Sequence, residues 1–219
     1  MTSRYHLKGW AAIISGLIGI LAICALIGYL VTRDTSPTDG FFLIRFHDIG
    51  IIIQFLLMIP VVYGLQNLMQ QKVPGIGKSL LIIGVGAILL VVVLLLLVFP
   101  KIVADVLYMF PQGIFGVWLI IVNWRLSGLL PKATRWFGMI VGFGLALVGI
   151  FPPGYALFVD PILLQIPAAS EEAVAKIPID TPANTLLHQI LFIGTFRGVI
   201  TFPVWEVLLG ARLLRRNVE

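Results

Sequence analysis

The sequence predicts an all-α fold, a polytopic transmembrane bundle of six helices with both termini cytoplasmic. Three observations carry that expectation. Of the 219 residues, 59% are hydrophobic and only 11% charged, with a mean hydropathy of +1.06. A water-soluble domain carries roughly a quarter of its residues charged and cannot hide so much apolar surface in one core. The apolar residues fall into runs of about 20, the length that crosses a hydrocarbon core of ~30 Å at ~1.5 Å per residue. Finally, the Lys and Arg residues gather at alternate ends of those runs, as the positive-inside rule requires.

The first run, Gly9 to Val31, is uncharged over 23 residues and spans about 34 Å as a helix. Arg4 and Lys8 precede it as they would a signal peptide, but the stretch is too long and no small-x-small site follows. Leu21-Ala22-Ile23-Cys24 is similar to a lipoprotein processing box, with Ile23 where a small residue is required, so the run is read as helix one. Further helices are expected over residues 47–69, 78–99, 101–124, 132–151 and 187–209. Pro100 and Pro131 fall at plausible first helical positions, where the missing N–H costs nothing, and so mark the starts of helices four and five. Helices three and four then form a tight hairpin.

Alternate connections carry ten Lys and Arg on one side (Arg4, Lys8; Lys72, Lys78; Arg125, Lys132, Arg135; Arg212, Arg215, Arg216) against four on the other. That places the termini in the cytoplasm. Eight of the ten acidic residues fall on or just inside the opposite side, and Trp10, Trp124, Trp136 and Trp205 lie near the inner ends, as an interfacial aromatic belt would. The net charge of +5 is therefore explained by a membrane rather than by nucleic acid, because the basic residues are dispersed. Cys24 is the single cysteine, so no intramolecular disulfide forms.

Residues 152–186 form the one long connection, on the outer side. Ser170-Glu171-Glu172 reads as the start of a short capped helix, and Pro161 to Pro167 is apolar enough to lie on the membrane surface. An inverted repeat is not supported, since Pro60 sits mid-run in helix two while helix five has Pro152 and Pro153 only at its end.

Polar residues at depth are the candidate site, because an ionised group in hydrocarbon costs at least ~2.5 kcal/mol and is usually paired. Helical spacing puts His47 and Gln54 on one face of helix two, and Asp105, Gln112, Gly116 and Asn123 on one stripe of helix four. On helix six, His188, Thr195 and Glu206 share a face, and Arg197, near the midplane, is expected to be tied to Asp105, Gln112 or Gln54. The buried polar cluster expected is thus Gln54, Asp105, Gln112, Asn123, Arg197 and Glu206, read as an interhelical clamp, with a pathway for a small solute or ion as the alternative. His47 and His188 are the candidate ligands of a haem or metal, a second alternative that needs their rings to converge; no cofactor and no catalytic residue is expected. Gly138-x-x-x-Gly142 and Gly194-x-x-x-Gly198 pack helices closely, within the chain or across a homodimer. Pro60, Pro111 and Pro203 interrupt three helices.

Gly116-Val-Trp118-Leu-Ile, Gly128-Leu-Leu-Pro131 and Arg135-Trp-Phe-Gly138, with the glycine-rich helix that follows, resemble the second half of a bacterial family of six-helix membrane proteins classed as a domain of unknown function. The likeness covers about a third of the chain. It implies a bacterial plasma-membrane protein and no activity. The function expected from all of this is a non-catalytic, lipid-interacting or accessory membrane component.

Overall fold

The structure, a computed structural model, describes residues 5–32, 37–72, 78–170, 173, 177 and 181–215. Among these the chain is all-helical. The elements are α1 (His6–Thr32), α2 (Pro37–Lys72), α3 (Lys78–Val98), α4 (Met109–Arg125), α5 (Lys132–Phe158), α6 (Pro182–Gly194) and α7 (Phe202–Arg215). A π turn over Thr195–Val199 joins α6 to α7, so the two make one rod, and the described residues form six rods in all. Five of these, all but α4, are long and apolar enough to cross a membrane.

The rods close a ring in the order α2, α1, α6 with α7, α5, α4, α3. Rings from spans that are not neighbours in that circle meet at its centre. Phe55 of α2, Phe115 of α4 and Phe202 of α7 form a triangle with centroids 5.8 to 5.9 Å apart. Trp118 stacks on Phe115 and Trp205 on Phe202, and all five side chains are buried. The perimeter is apolar instead: Leu17, Ile27, Ile82, Leu96, Phe143 and Phe192 are exposed, a surface suited to hydrocarbon rather than water.

Several boundaries differ from expectation. The most consequential is α4, which begins at Met109 and not near Lys101. Pro100 does not open a helix; it lies in the turn that closes α3. Lys101 there takes a left-handed φ of 56°, its N–H bonds Val98 O at 2.9 Å, and Ile102 N–H reaches back to Leu97 O at 3.0 Å. That six-to-one bond is a Schellman stop, with lysine where glycine is usual. Pro111 consequently sits in the first turn of α4, where no N–H is needed, and does not interrupt it.

Pro131 does precede α5 directly, after a turn in which Gly128 has φ 80°, a conformation open to glycine. But α5 runs on through Pro152 and Pro153 to Phe158, and α6 starts at Pro182, capped by Thr181 Oγ1 accepting from Asn184 N–H at 3.2 Å. The connection between α5 and α6 is therefore shorter than the expected 152–186. Within it Asp160 caps a 3-10 turn over Pro161–Leu164, whose Ile162 is buried against Phe151, Tyr155 and Leu187. Ser170 Oγ accepts from Ala173 N–H at 3.3 Å, while Glu171 and Glu172 of the expected capped helix lie outside the described residues.

Pro60 lies inside an unbroken α2. Pro203, by contrast, has no N–H for the Val199 carbonyl, and the rod changes register just before it, with Ile200 N–H bonding Thr195 O at 3.0 Å.

Candidate functional site

The six expected cluster residues do not form one stripe. Two of them meet: Gln54 Nε2 donates to Glu206 Oε2 at 2.8 Å, across α2 and α7. Ser15 of α1 supplies the third member, its hydroxyl 2.9 Å from both Glu206 Oε1 and the Gln54 carbonyl. All three side chains are buried. The approach is possible because α1 presents glycines here: a Cβ on Gly19 would come within 2.5 Å of Gln54 Nε2, and one on Gly16 within 2.7 Å of Val207. Sequence reasoning missed Ser15. Its signal is a small hydroxyl on the glycine face of an otherwise apolar helix.

Asn123 is fully buried elsewhere, between α4 and α5. Its Nδ2 donates to Leu119 O at 2.9 Å, its side chain packs on Gly138 beside Trp205, and its Oδ1 has no hydrogen-bond partner. Trp205 Nε1 instead donates to Thr134 O at 3.2 Å. Arg135 closes the C-terminal end of α4 by donating from Nε to Asn123 O at 3.0 Å. Gln112 is buried near the other end of α4.

Asp105 is not on α4 at all, and it is exposed. The cause is the Schellman stop after α3, which leaves residues 99–108 as turns, so the seven-residue spacing to Gln112 carries no helical meaning. Asp105 belongs to a group with Arg45, Asp48 and Tyr108 at one end of the bundle. Arg45 Nη1 lies 3.9 Å from Asp48 Oδ2, and its guanidinium is held between the rings of Phe41 and Phe99, 5.1 and 4.7 Å from their centroids. Burial of the phenol, with the Asp48 and Asp105 carboxylates adding to it, pushes Tyr108 up and keeps it a neutral donor.

Arg197 departs furthest from expectation. It is exposed on the perimeter and is tied to none of Asp105, Gln112 and Gln54; among the described residues its guanidinium has no partner. The reason is its neighbours: Gly194 and Gly198 face α5, where a Cβ on Gly194 would meet Gly144 O at 2.8 Å, so the intervening residues turn outward.

The two imidazoles serve different helix pairs. His47 Nδ1 is bonded to Ala22 O of α1 at 2.9 Å, while His188 Nδ1 bonds Asn184 O within α6 and its ring meets Phe151 of α5 edge-on at 5.5 Å. Among the described residues no three His, Cys, Asp or Glu side chains converge. The glycine motifs are likewise occupied inside the chain: Gly142 packs on Gly116 and Ile120 of α4, Gly138 on Asn123, and Gly194 and Gly198 on α5. All four are buried within the chain.

A hollow of about 150 Å³ opens on the perimeter between α1 and α2, lined by Ile18, Leu21, Phe46, Ile49, Gly50 and Ile53. Its lining is wholly apolar.

No protein-family model, no curated protein and no solved structure matches this chain.

Proposed function

We propose that the protein is a non-catalytic accessory component of a bacterial plasma membrane that works through its lipid- and protein-facing surface. The observation that carries this reading is the filled centre. Phe55, Phe115, Phe202, Trp118 and Trp205 occupy the axis a solute would follow, and the Glu206 carboxyl is already engaged by Ser15 and Gln54. A pathway needs polar groups left open to water along its length. The perimeter, in contrast, offers an apolar hollow between α1 and α2 whose lining suits hydrocarbon. In this reading the basic connections face the cytoplasm, and both termini lie there.

Native mass spectrometry of the protein in a mild detergent, together with its visible spectrum and a flux assay in vesicles, tests the proposal. The expected result is a colourless chain carrying phospholipid, with no flux above empty vesicles. A stoichiometric haem, metal or small solute, or a saturable flux, would overturn it.

A further inference from the structure

The feature this account leaves unused is Arg197. It is level with Gly144, since a Cβ on that glycine would meet the Arg197–Gly198 backbone. Gly144 is the thirteenth residue of the 27 in α5, about 18 Å from one end of that helix and about 21 Å from the other at ~1.5 Å per residue. The guanidinium therefore stands halfway along the bundle. An extended arginine side chain reaches roughly 7 Å, less than half the distance to either end, so snorkelling does not bring it to the headgroups. On the same outward side are Ile193, Phe196, Ile200 and Val204, all exposed and apolar. An ionised group on a lipid-facing surface at this depth is among the costliest placements a membrane protein can make, and such groups are paired in the finished assembly.

The backbone around it is specialised as well. Arg197 lies inside the π turn Thr195–Val199, the Thr201 hydroxyl donates to its carbonyl at 2.6 Å, and among the described residues its side chain has no partner. Single π turns within α-helices recur at functional sites.

A second copy of this chain does not supply the missing charge. Among the described residues Glu206 is the mid-span carboxylate and is consumed internally, while Asp48, Asp105 and Asp160 lie outside the middle of the bundle. We propose that the Arg197 face docks a membrane-spanning helix of a different protein that carries an aspartate or glutamate at mid-depth. The apolar residues around Arg197 exclude lipid from the pair, and the low dielectric strengthens it. This inference rests on the accessory reading and names the partner's chemistry.

The test uses the full chain in phosphatidylcholine vesicles with a defined probe, a dye-labelled polyleucine transmembrane helix bearing one central Asp, and a second with Leu in its place. Energy transfer should report association with the Asp helix at least about tenfold tighter than with the Leu helix, a preference lost in Arg197→Met and partly kept in Arg197→Lys. Arg197→Asp paired with a Lys-centred helix should restore it, which separates charge recognition from misfolding. Equal binding of the two probes, or a preference that survives Arg197→Met, overturns the proposal. Loss of the Asp preference when phosphatidylglycerol is added would assign the arginine to a lipid phosphate and overturn it too. Solute flux through the protein would sink the accessory reading without changing these binding ratios, so the two failures are distinguishable.

Discussion

The Ser15–Gln54–Glu206 clamp predicts strong coupling between α2 and α7. In Gln54→Leu, Glu206 Oε2 loses the donor at 2.8 Å and remains buried, so the variant bears the cost of an unsatisfied carboxyl oxygen, about 1–3 kcal/mol. In Glu206→Leu the reverse holds: Gln54 Nε2 is left without an acceptor, at a similar cost, whereas Ser15 keeps the Gln54 carbonyl. The double variant leaves neither orphan. Apolar side chains of nearly the same volume replace a buried polar pair, an exchange that is often neutral or stabilising. Interhelical hydrogen bonds in membranes average ~0.6 kcal/mol with a ceiling near ~1.7, so the two single losses should exceed the double loss by about 0.6–1.7 kcal/mol. Unfolding by sodium dodecyl sulfate titration in mixed micelles, followed by far-ultraviolet circular dichroism, measures all four proteins. Single effects that add to the double within ~0.5 kcal/mol would refute the clamp, because residues that do not interact behave that way.

Glycine spacing gives a matched pair of tests by the same titration: Gly142→Ala should lose about 1–3 kcal/mol, since its Cβ would lie 2.6 Å from Gly116 O, whereas Gly86→Ala, with open space around it, should be neutral or better by up to ~1 kcal/mol. Phe115→Ala removes one corner of the central aromatic triangle and should cost about 3–5 kcal/mol, read as a lower dodecyl sulfate midpoint; a loss below 1 kcal/mol would mean the centre is not packed as described. For threading, a reporter enzyme that folds only outside the cytoplasm should be active when fused after Gln165 and inactive when fused after Leu130, and the opposite pattern would invert the topology.

The spans were legible because hydropathy over about 20 residues depends only on composition, and five of the six rods cover the runs read from it. What was not legible was where helical geometry begins. Pro100 is equally suited to opening a helix and to following one. The choice was made by Lys101, which adopted the left-handed conformation and closed α3, information held in a backbone angle and not in residue type. That single turn moved Asp105 from a helical stripe into the group with Arg45 and Asp48, and with it went the argument from its spacing to Gln112.

The polar residues illustrate a second limit. In a soluble helix the polar face reveals the exposed side, but here both faces are apolar, and only small residues mark which one meets protein. Gly16 and Gly19 direct α1 toward Glu206 and Gln54, and Gly194 and Gly198 direct the last rod toward α5, so the glycines were better guides to burial than the charges. Had they been weighted first, Arg197 would have been placed to the side of the Gly194–Gly198 face rather than on it, with Phe196 opposite that face. Depth pointed to a buried guanidinium because intramembrane charges are paired, yet that rule applies to the complete assembly and not to one chain. The partner proposed for Arg197 reconciles the pairing expectation with the exposed position, which is why the residue that least fits the monomer is the one chosen to test what surrounds it.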